Sequence, residues 1–220
     1  RMPELPEVET VRRGLAPVME GGTILSLLQN RPNLRFPFPE RFVERVSGAR
    51  IERLGRRAKF LTADLSTGEV LVMHLGMTGR FTVGVGATAD FHHATGSDAR
   101  HDHVVFHMQD GHTVTYNDPR RFGFMELWPA ATFDAYPRLA AMGPEPLSNG
   151  FSAAYLDTAL RGKATPIKSA LLDQSIIAGL GNIYVCEALY RAGISPKRKA
   201  SSIPGQRAAR LAPAINQVIA

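Results

Sequence analysis

The first stretch of the chain carries an apolar residue at every third or fourth position. Between Glu4 and Met19 these residues are Leu5, Val8, Val11, Leu15 and Val18. Steps of three and four place their side chains on one face of a helix, and a proline such as Pro6 is tolerated in a helix's first turn. The pattern therefore predicts an amphipathic helix at the start of the chain.

From about Thr23 to Leu127 the apolar pattern changes to short segments separated by turn signals. Short antiparallel strands at such close spacing are typical of a sandwich or a barrel. Gly84–Arg100, which is rich in Gly, Ala, Thr and His, predicts a long mobile loop. The clearest strand pairs are Lys59–Leu65 with Glu69–Leu75, and Val104–Gln109 with Thr113–Tyr116 across Asp110-Gly111.

The last third of the chain has the signals of helices. Small polar residues and prolines stand where helices begin, and glycine stands where one ends. The predicted helices are Ser152–Arg161, one capped by Thr165 that starts at Pro166, one from Asn182 or Ile183 to Gly193, and one from about Pro204.

Composition and charge narrow the class of protein. The 220 residues are 44% hydrophobic and 21% charged, as in ordinary globular chains, and no apolar run reaches the roughly 18 residues that cross a bilayer. Cys186 is the one cysteine, which excludes an internal disulfide and a zinc site built from several cysteines and favours a cytoplasmic setting. The net charge of +6 and the pI near 9.8 fit a polyanionic partner such as nucleic acid.

Short motifs along most of the chain resemble those of one enzyme family. They are Met2-Pro3-Glu4-Leu5-Pro6-Glu7-Val8, Arg57-Ala58-Lys59-Phe60, His74-Leu75-Gly76-Met77-Thr78-Gly79, Asn117-Asp118-Pro119-Arg120-Arg121-Phe122-Gly123, Gly143-Pro144-Glu145-Pro146-Leu147 and Gly179-Leu180-Gly181-Asn182-Ile183-Tyr184. Together they resemble the formamidopyrimidine-DNA glycosylases, bacterial repair enzymes that excise oxidised purines such as 8-oxoguanine. The related endonuclease VIII enzymes, which prefer oxidised pyrimidines, usually have Gly at the position of Leu5.

The resemblance implies that Pro3 is the nucleophile and Glu4 a general acid. In the family the initiator Met is removed, so the proline nitrogen becomes an N-terminal amine that attacks C1′ of the sugar and forms an iminium. Glu4 then supplies a proton to the opening sugar ring. Judged from residue types alone, the same residues mark a helix start. Because Arg1-Met2 precede Pro3, we expect no catalysis while those two residues remain attached.

The resemblance also implies roles for Lys59 and for three residues in turns. Five of the 26 basic residues are lysines. Lys59 opens an apolar strand, where the charge of a lysine often serves only to keep the sheet edge from pairing with another chain. In the family this lysine contacts DNA near the lesion and assists by proton transfer. Met77, Arg120 and Phe122 match the residues that fill the gap left when a damaged nucleotide is flipped out. By residue type alone, Met77 and Phe122 suit a core.

Two further segments are candidates for binding. Gly179-Leu180-Gly181-Asn182 precedes a helix whose free N–H groups attract phosphate, although the same spacing suits a flexible connector. By resemblance this is a helix–two-turn–helix element, with Asn182 on a DNA phosphate and Lys163 and Lys168 facing DNA. His101-Asp102-His103 places two histidines on one strand face, where a metal could bind; the resemblance instead makes His101 a DNA contact.

The combined prediction is an α+β protein with an N-terminal β-sandwich flanked by helices over 1–130, a linker over 131–150, and a helical domain with the helix–two-turn–helix DNA-binding element over 151–220. It would act as a bacterial, cytoplasmic monomer that removes oxidised purines from double-stranded DNA and cuts the strand by β,δ-elimination. The alternatives are an endonuclease VIII-like enzyme for oxidised pyrimidines and a lesion-binding protein without catalysis. The family's zinc finger and its zinc ion are expected after residue 220, with no cofactor within residues 1–220.

Overall fold

The chain folds into two compact units. A computed structural model describes residues 2–85 and 98–220. The first unit comprises Glu7–Tyr136 together with the residues before Glu4, and the second comprises Pro137–Ala220 together with Glu4–Pro6. The division therefore falls at Tyr136, inside the segment predicted as a linker.

Two four-stranded antiparallel sheets form the framework of the first unit. Their strands are β1 (Ile24–Gln29), β2 (Ile51–Arg57), β3 (Phe60–Leu65), β4 (Glu69–His74), β5 (Arg80–Val85), β6 (Asp102–Met108), β7 (His112–Asn117) and β8 (Phe124–Pro129). One sheet has the order β1-β6-β7-β5 and the other β2-β3-β4-β8. Alternating side chains of both sheets, such as Phe106 and Leu71, share one buried core. The prediction of a β-sandwich is confirmed.

Three connections between the described strands cross from one sheet to the other, and two of them lie in neighbouring positions. Leu75–Gly79 connects β4 in one sheet to β5 in the other, and Asp118–Gly123 connects β7 back to β8. The strand ends that bound these loops are ladder partners, since His74 pairs with Phe124 and Arg80 pairs with Asn117. Both loops must therefore pass side by side over the same end of the sandwich.

Among the described residues of the first unit, two α-helices accompany the sheets, and one of them matches the sequence pattern. Helix α1 (Leu5–Met19) buries Val8 and Leu15, as the spacing predicts, and also Met19, which the predicted face did not include, whereas Val11 and Val18 are only partly buried. Helix α2 (Phe42–Val46) was not predicted, because five residues are too few to show a helical period.

Five helices form the second unit: α3 (Pro137–Ala140), α4 (Ala153–Leu160), α5 (Ile167–Leu172), α6 (Asn182–Ala192) and α7 (Gln206–Ile219). Ser152 caps α4 by accepting a hydrogen bond from Tyr155 N, and Gly193 ends α6 in the left-handed conformation at φ 68°. The predicted cap Thr165 is wrong: Pro166 precedes α5, and no side chain caps that helix. Proline fits there because its missing N–H is one of those that a helix start leaves unbonded.

Two loop predictions are also corrected. Of the predicted loop Gly84–Arg100, residues 86–97 lie outside the described part of the chain, whereas Gly84 and Val85 belong to β5 and Ala99–His101 forms a 3₁₀ turn. The predicted linker holds part of a second 3₁₀ segment, Ala130–Ala135, and helix α3. Among the described helices, none is both long enough and apolar enough to span a bilayer.

Glu9 of helix α1 binds three arginines, of which Arg12 and Arg13 lie on the same helix and Arg56 lies on strand β2. Its carboxylate accepts from Arg12 Nε and Nη2 at 2.8 Å each, from Arg13 Nε at 3.0 Å and from Arg56 Nε at 3.3 Å. The hydrogen bonds from Arg12, followed by the positive charges around them, lower the pKa of Glu9 from 4.5 to about 2 although partial burial opposes the shift.

We predict that Glu9→Gln destabilises the protein at neutral pH by about 1 kcal/mol, a melting-temperature loss of roughly 2–4 °C. A carboxylate whose pKa is lowered by folding stabilises above its unfolded pKa, and this contribution is lost as the pH falls through the folded pKa. The difference between parent and variant should therefore be constant from pH 6 to 8, shrink below about pH 4.5 and approach zero near pH 2. Thermal melting across this range checks it.

Glu52→Gln is the matched control, since Glu52 is exposed and reaches a single arginine at 4.0 Å. It should leave the melting temperature unchanged. A Glu9→Gln loss that persists undiminished at pH 2 would contradict the assignment of the effect to the charged carboxylate.

Candidate functional site

Met77, Arg120 and Phe122 form one exposed cluster on the two crossing loops. The Arg120 guanidinium carbon lies 4.7 Å from the centre of the Phe122 ring, and Arg120 Nη1 lies 3.6 Å from Met77 Sδ. The side chains of Met77 and Phe122 remain 37% and 42% exposed, so neither belongs to the core. Loops that cross the end of the sandwich hold an apolar wedge, topped by a planar cation, out towards solvent.

A pocket of about 430 Å³ opens beside this cluster. Met77 and Phe122 line it together with Met2, Arg35, His74 and Gly76. The His74 ring stacks on Phe124 at 5.2 Å, and its Nδ1 accepts a hydrogen bond from Gly76 N. Neither Arg35 nor His74 had a predicted role, although His74 opens one of the motifs that carry the resemblance.

Pro3 is partly and Lys59 almost wholly shielded from solvent. Pro3 lies two residues before the first residue of α1 and is half-buried. Lys59 is 8% exposed and forms, with Ala58, the two-residue turn between β2 and β3, so the strand begins one residue later than predicted, at Phe60. Ala58 adopts a positive φ of 53°, and its carbonyl accepts a hydrogen bond from Arg56 Nη1. Lysines that keep a sheet edge from pairing with another chain need an exposed charge, so the buried Lys59 does not have that role.

Glu4 occupies the start of helix α6. One of its carboxylate oxygens accepts hydrogen bonds from Gly181 N and Tyr184 N, and the other accepts from Ile183 N. Glu4 is 2% exposed, and the backbone N–H of the next residue, Leu5, donates to Gly179 O. These N–H groups are the ones that the sequence analysis assigned to an external phosphate. That expectation is corrected: the chain supplies its own carboxylate to them.

The other predicted DNA contacts of the second unit stand at its surface. Asn182 is exposed in the first turn of α6, and its side-chain oxygen accepts from Cys186 Sγ at 3.9 Å. Lys163 is exposed on a pocket of about 310 Å³ that Thr165, Ser169 and Asp173 also line. Lys168 is half-buried on α5.

The histidine pair does not have the predicted arrangement. His101 ends the 3₁₀ turn, while His103 is buried in β6 beyond a register shift, with ring centres 6.3 Å apart. His103 Nε2 lies 2.8 Å from Asp118 O, and burial is the main cause that lowers the pKa of His103. Within residues 2–85 and 98–220, no three His, Cys, Asp or Glu side chains cluster as metal ligands would. The zinc ion that the resemblance implies would belong to the zinc finger expected after residue 220, and these described residues offer it no ligand set.

Comparisons with known proteins agree with this arrangement. The Formamidopyrimidine-DNA glycosylase N-terminal domain matches residues 2–125, and the Formamidopyrimidine-DNA glycosylase H2TH domain matches residues 142–220. The formamidopyrimidine-DNA glycosylase of Ruegeria pomeroyi is 59% identical over 218 residues, which are 99% of this chain and 77% of that protein. The one from Methylocella silvestris is 56% identical over 227 residues, 99% of this chain and 78% of that protein.

Solved structures of Lactococcus lactis Fpg are similar throughout. One is in complex with DNA containing an abasic site (TM-score 0.87, 30% identity, 98% of this chain and 76% of that one). Another holds DNA containing an oxidised pyrimidine (TM-score 0.87, 31% identity, 99% and 78%). A third, of a variant, holds DNA containing Fapy-dG (TM-score 0.87, 31% identity, 99% and 77%).

A sandwich with an exposed wedge, followed by a matched helix–two-turn–helix domain, defines a DNA glycosylase, an enzyme of DNA repair. The chain belongs to the formamidopyrimidine-DNA glycosylase family.

We predict that Gly181→Ala destabilises the protein, because a Cβ at Gly181 would lie 2.6 Å from Glu4 Cδ and 2.9 Å from its Oε1. The carboxylate would have to leave its N–H donors, at an expected loss of about 1–3 kcal/mol by overpacking. Gly181 has φ −126°, a conformation open to alanine, so the loss isolates the contact with Glu4. Thermal or urea unfolding measures it.

Gly14→Ala is the matched control, since nothing lies within 4 Å of a Cβ there and Gly14 is inside helix α1. It should stabilise the protein by about 0.5–1 kcal/mol through higher helix propensity. Equal stability of Gly181→Ala and the parent would show that Glu4 does not depend on this contact.

Proposed function

We propose that this enzyme excises oxidised purines, 8-oxoguanine and formamidopyrimidines, from double-stranded DNA and then cuts the strand by β,δ-elimination. The observation that carries the proposal is the exposed cluster of Met77, Arg120 and Phe122. An enzyme that acts on a base inside a duplex must flip the nucleotide out, at a cost of a few kcal/mol in lost stacking. A thioether, a guanidinium plane and a phenyl ring packed together at a loop tip suit the gap that flipping leaves.

Electrostatics and relatives support DNA as the partner. The net charge of +6 favours association with phosphates. The similar Lactococcus lactis enzymes have been crystallised with DNA that contains an abasic site or Fapy-dG, a formamidopyrimidine lesion. In bacterial relatives of this kind, genomic DNA is the substrate at hand, so we place the activity in the cytoplasm.

Pro3 is the proposed nucleophile when it is the first residue. A free proline nitrogen is a secondary amine whose lone pair attacks C1′ of the damaged nucleoside as the bond from C1′ to the base breaks. The amine proton must then leave, and the adjacent Glu4 carboxylate accepts it. Glu4 next delivers that proton to the ring oxygen O4′, so the sugar opens and a C1′ iminium remains. The cation draws electrons from C2′, which loses a proton as the 3′-phosphate departs; the 5′-phosphate follows by δ-elimination.

The buried environment of Glu4 suits this proton transfer. Its oxygens accept N–H bonds from the start of α6, so the carboxylate stands in a fixed position next to the nucleophile in the chain. We assign to Lys59, held in its rigid turn, a contact with DNA beside the lesion and assistance in proton transfer. His101, Lys163, Lys168 and Asn182 are assigned to contacts with the DNA backbone.

Oxidised pyrimidines are the second candidate substrate class. One Lactococcus lactis relative was crystallised with DNA containing an oxidised pyrimidine, which supports this lesion class as the second candidate. Leu5, which distinguishes the chain from endonuclease VIII enzymes, is 6% exposed and packs against Gly179. Leu5 is therefore a marker of the family and not a contact that could select a base.

We predict that the protein with a free Pro3 excises 8-oxoguanine and formamidopyrimidine from duplex DNA at least about tenfold faster than thymine glycol, the difference that roughly 1.4 kcal/mol of discrimination in a binding pocket produces. Single-turnover assays on matched duplexes measure the two rates. Faster release of thymine glycol would favour the pyrimidine candidate. Specific binding with no excision of either base would favour a lesion-binding protein.

We predict that the protein retaining Arg1-Met2 forms no borohydride-trapped adduct with abasic DNA, while the same protein starting at Pro3 does. An amide nitrogen of proline has its lone pair delocalised into the peptide bond and carries no proton to lose. Denaturing gels after borohydride reduction measure the adduct, and intact mass establishes each N-terminus. If both forms trap at the same rate, the nucleophile is a lysine, with Lys59 the first to test by Lys59→Ala.

A further inference from the structure

The two crossing loops meet on one buried carboxylate, that of Asp118. Asp118 is 0% exposed and accepts hydrogen bonds from donors on both loops and on β7. Its Oδ1 accepts from Thr78 Oγ1 at 2.6 Å and from Arg121 N at 3.0 Å. Its Oδ2 accepts from Gly123 N and from Tyr116 Oη, both at 2.9 Å. The sequence analysis assigned Asp118 no role.

Thr78 is the side chain that joins one loop to the other. Its hydroxyl donates to Asp118 Oδ1 and accepts from Arg120 N at 3.1 Å. The Met77 loop is thereby tied both to the buried carboxylate and to the backbone of the residue that carries the guanidinium of the cluster. A hydroxyl can do both because it has one proton and two lone pairs.

The backbones of the two loops pack closely against each other. A Cβ at Gly76 would lie 2.5 Å from Gly123 N, and a Cβ at Gly123 would lie 2.6 Å from His74 O. Arg121, between the two cluster residues of its loop, adopts a positive φ of 59°. The hydrogen bond from its N–H to Asp118 holds this uncommon conformation in place.

We propose that Asp118 and Thr78 are positioning residues that hold Met77, Arg120 and Phe122 in one arrangement before DNA binds. Neither needs to touch DNA: the Asp118 side chain is enclosed, and Thr78 acts through Arg120 N. A wedge fixed in advance loses no conformational freedom when it enters the stack, so more of its contact energy offsets the flipping of the nucleotide. The proposal rests on the proposed function for its effect on excision, but the arrangement itself can be tested without any substrate.

Thr78→Val tests the tie, since it removes the hydroxyl and keeps the shape of the side chain. In the protein that starts at Pro3, which serves as the parent for every variant here, excision of 8-oxoguanine from duplex DNA should fall about tenfold to a hundredfold, the range expected for losing a hydrogen bond to a charged group. Borohydride trapping on a single-stranded abasic oligonucleotide should stay within about twofold of the parent, because a single strand leaves no stacked gap to fill. Phe122→Ala, which removes the wedge itself, should show the same selective loss.

Two matched variants separate positioning from stability. Tyr116→Phe also removes one hydroxyl from Asp118; this hydroxyl packs against Gly79 and Gly123, but the bond to Arg120 N is made by Thr78. Burial, followed by the charge of Asp118, raises the pKa of Tyr116 well above its usual value, so the phenol is a neutral donor like the Thr78 hydroxyl. Tyr116→Phe should melt at a temperature similar to that of Thr78→Val yet keep duplex excision within about threefold. Thr78→Ser, which restores the hydroxyl, should return excision to within about twofold.

Amide hydrogen exchange gives the readout that needs no activity. In Thr78→Val the Arg120 N–H loses its acceptor and should exchange about tenfold faster, whereas Thr78→Ser should match the parent. If the parent excises nothing, the proposed function fails while this measurement still decides the positioning role. Unchanged exchange at Arg120, equal losses on duplex and single strand, or equal losses in Thr78→Val and Tyr116→Phe would each overturn the proposal. Thr78→Ala replaces Thr78→Val if the valine variant does not fold.

Discussion

The site depends on a constraint of connectivity: two crossing loops whose bounding strand ends are ladder partners must pass side by side. Met77 and Arg120 are 43 residues apart in sequence, yet their loops are bounded by directly paired strand ends, His74 with Phe124 and Arg80 with Asn117. Once strand β4 pairs with β8 and strand β5 pairs with β7, the ends of both loops are fixed next to each other. The buried carboxylate of Asp118 then satisfies N–H groups that would otherwise be stranded where the sheets end.

A second anchor holds the opening residues of the chain. The start of helix α6 presents N–H groups and a positive dipole end, and Glu4 supplies the negative charge that such a terminus favours. Glycine at 181 is what allows the approach, since any side chain there would collide with Glu4. Both anchors follow one physical pattern, in which a buried carboxylate is held by donors that include backbone N–H groups and lies close in the chain to residues of the proposed site.

The net charge does not by itself show which basic side chains could meet DNA, because several arginines bind carboxylates of the same chain. Arg12, Arg13 and Arg56 are engaged by Glu9, and Arg45 is engaged by Glu69. Arg56 links strand β2 to Glu9 of helix α1, and Arg45 links helix α2 to Glu69 of strand β4. The net charge already subtracts every carboxylate, so these pairs leave the +6 balance unchanged, and the positions of the basic residues matter more than their number.

Local patterns determined the elements of this protein, and tertiary structure decided which residues meet. The spacing of Val8 and Leu15, the Asp110-Gly111 turn and the glycine at 193 were enough to predict helix α1, the β6–β7 hairpin and the end of α6, because each depends on near neighbours. The roles of Asp118 and Thr78, and the union of Glu4 with helix α6, were beyond that reasoning. Hydrogen bonds such as that between Thr78 and Asp118 join residues 40 positions apart, and only the closing of the two sheets brings such partners within reach.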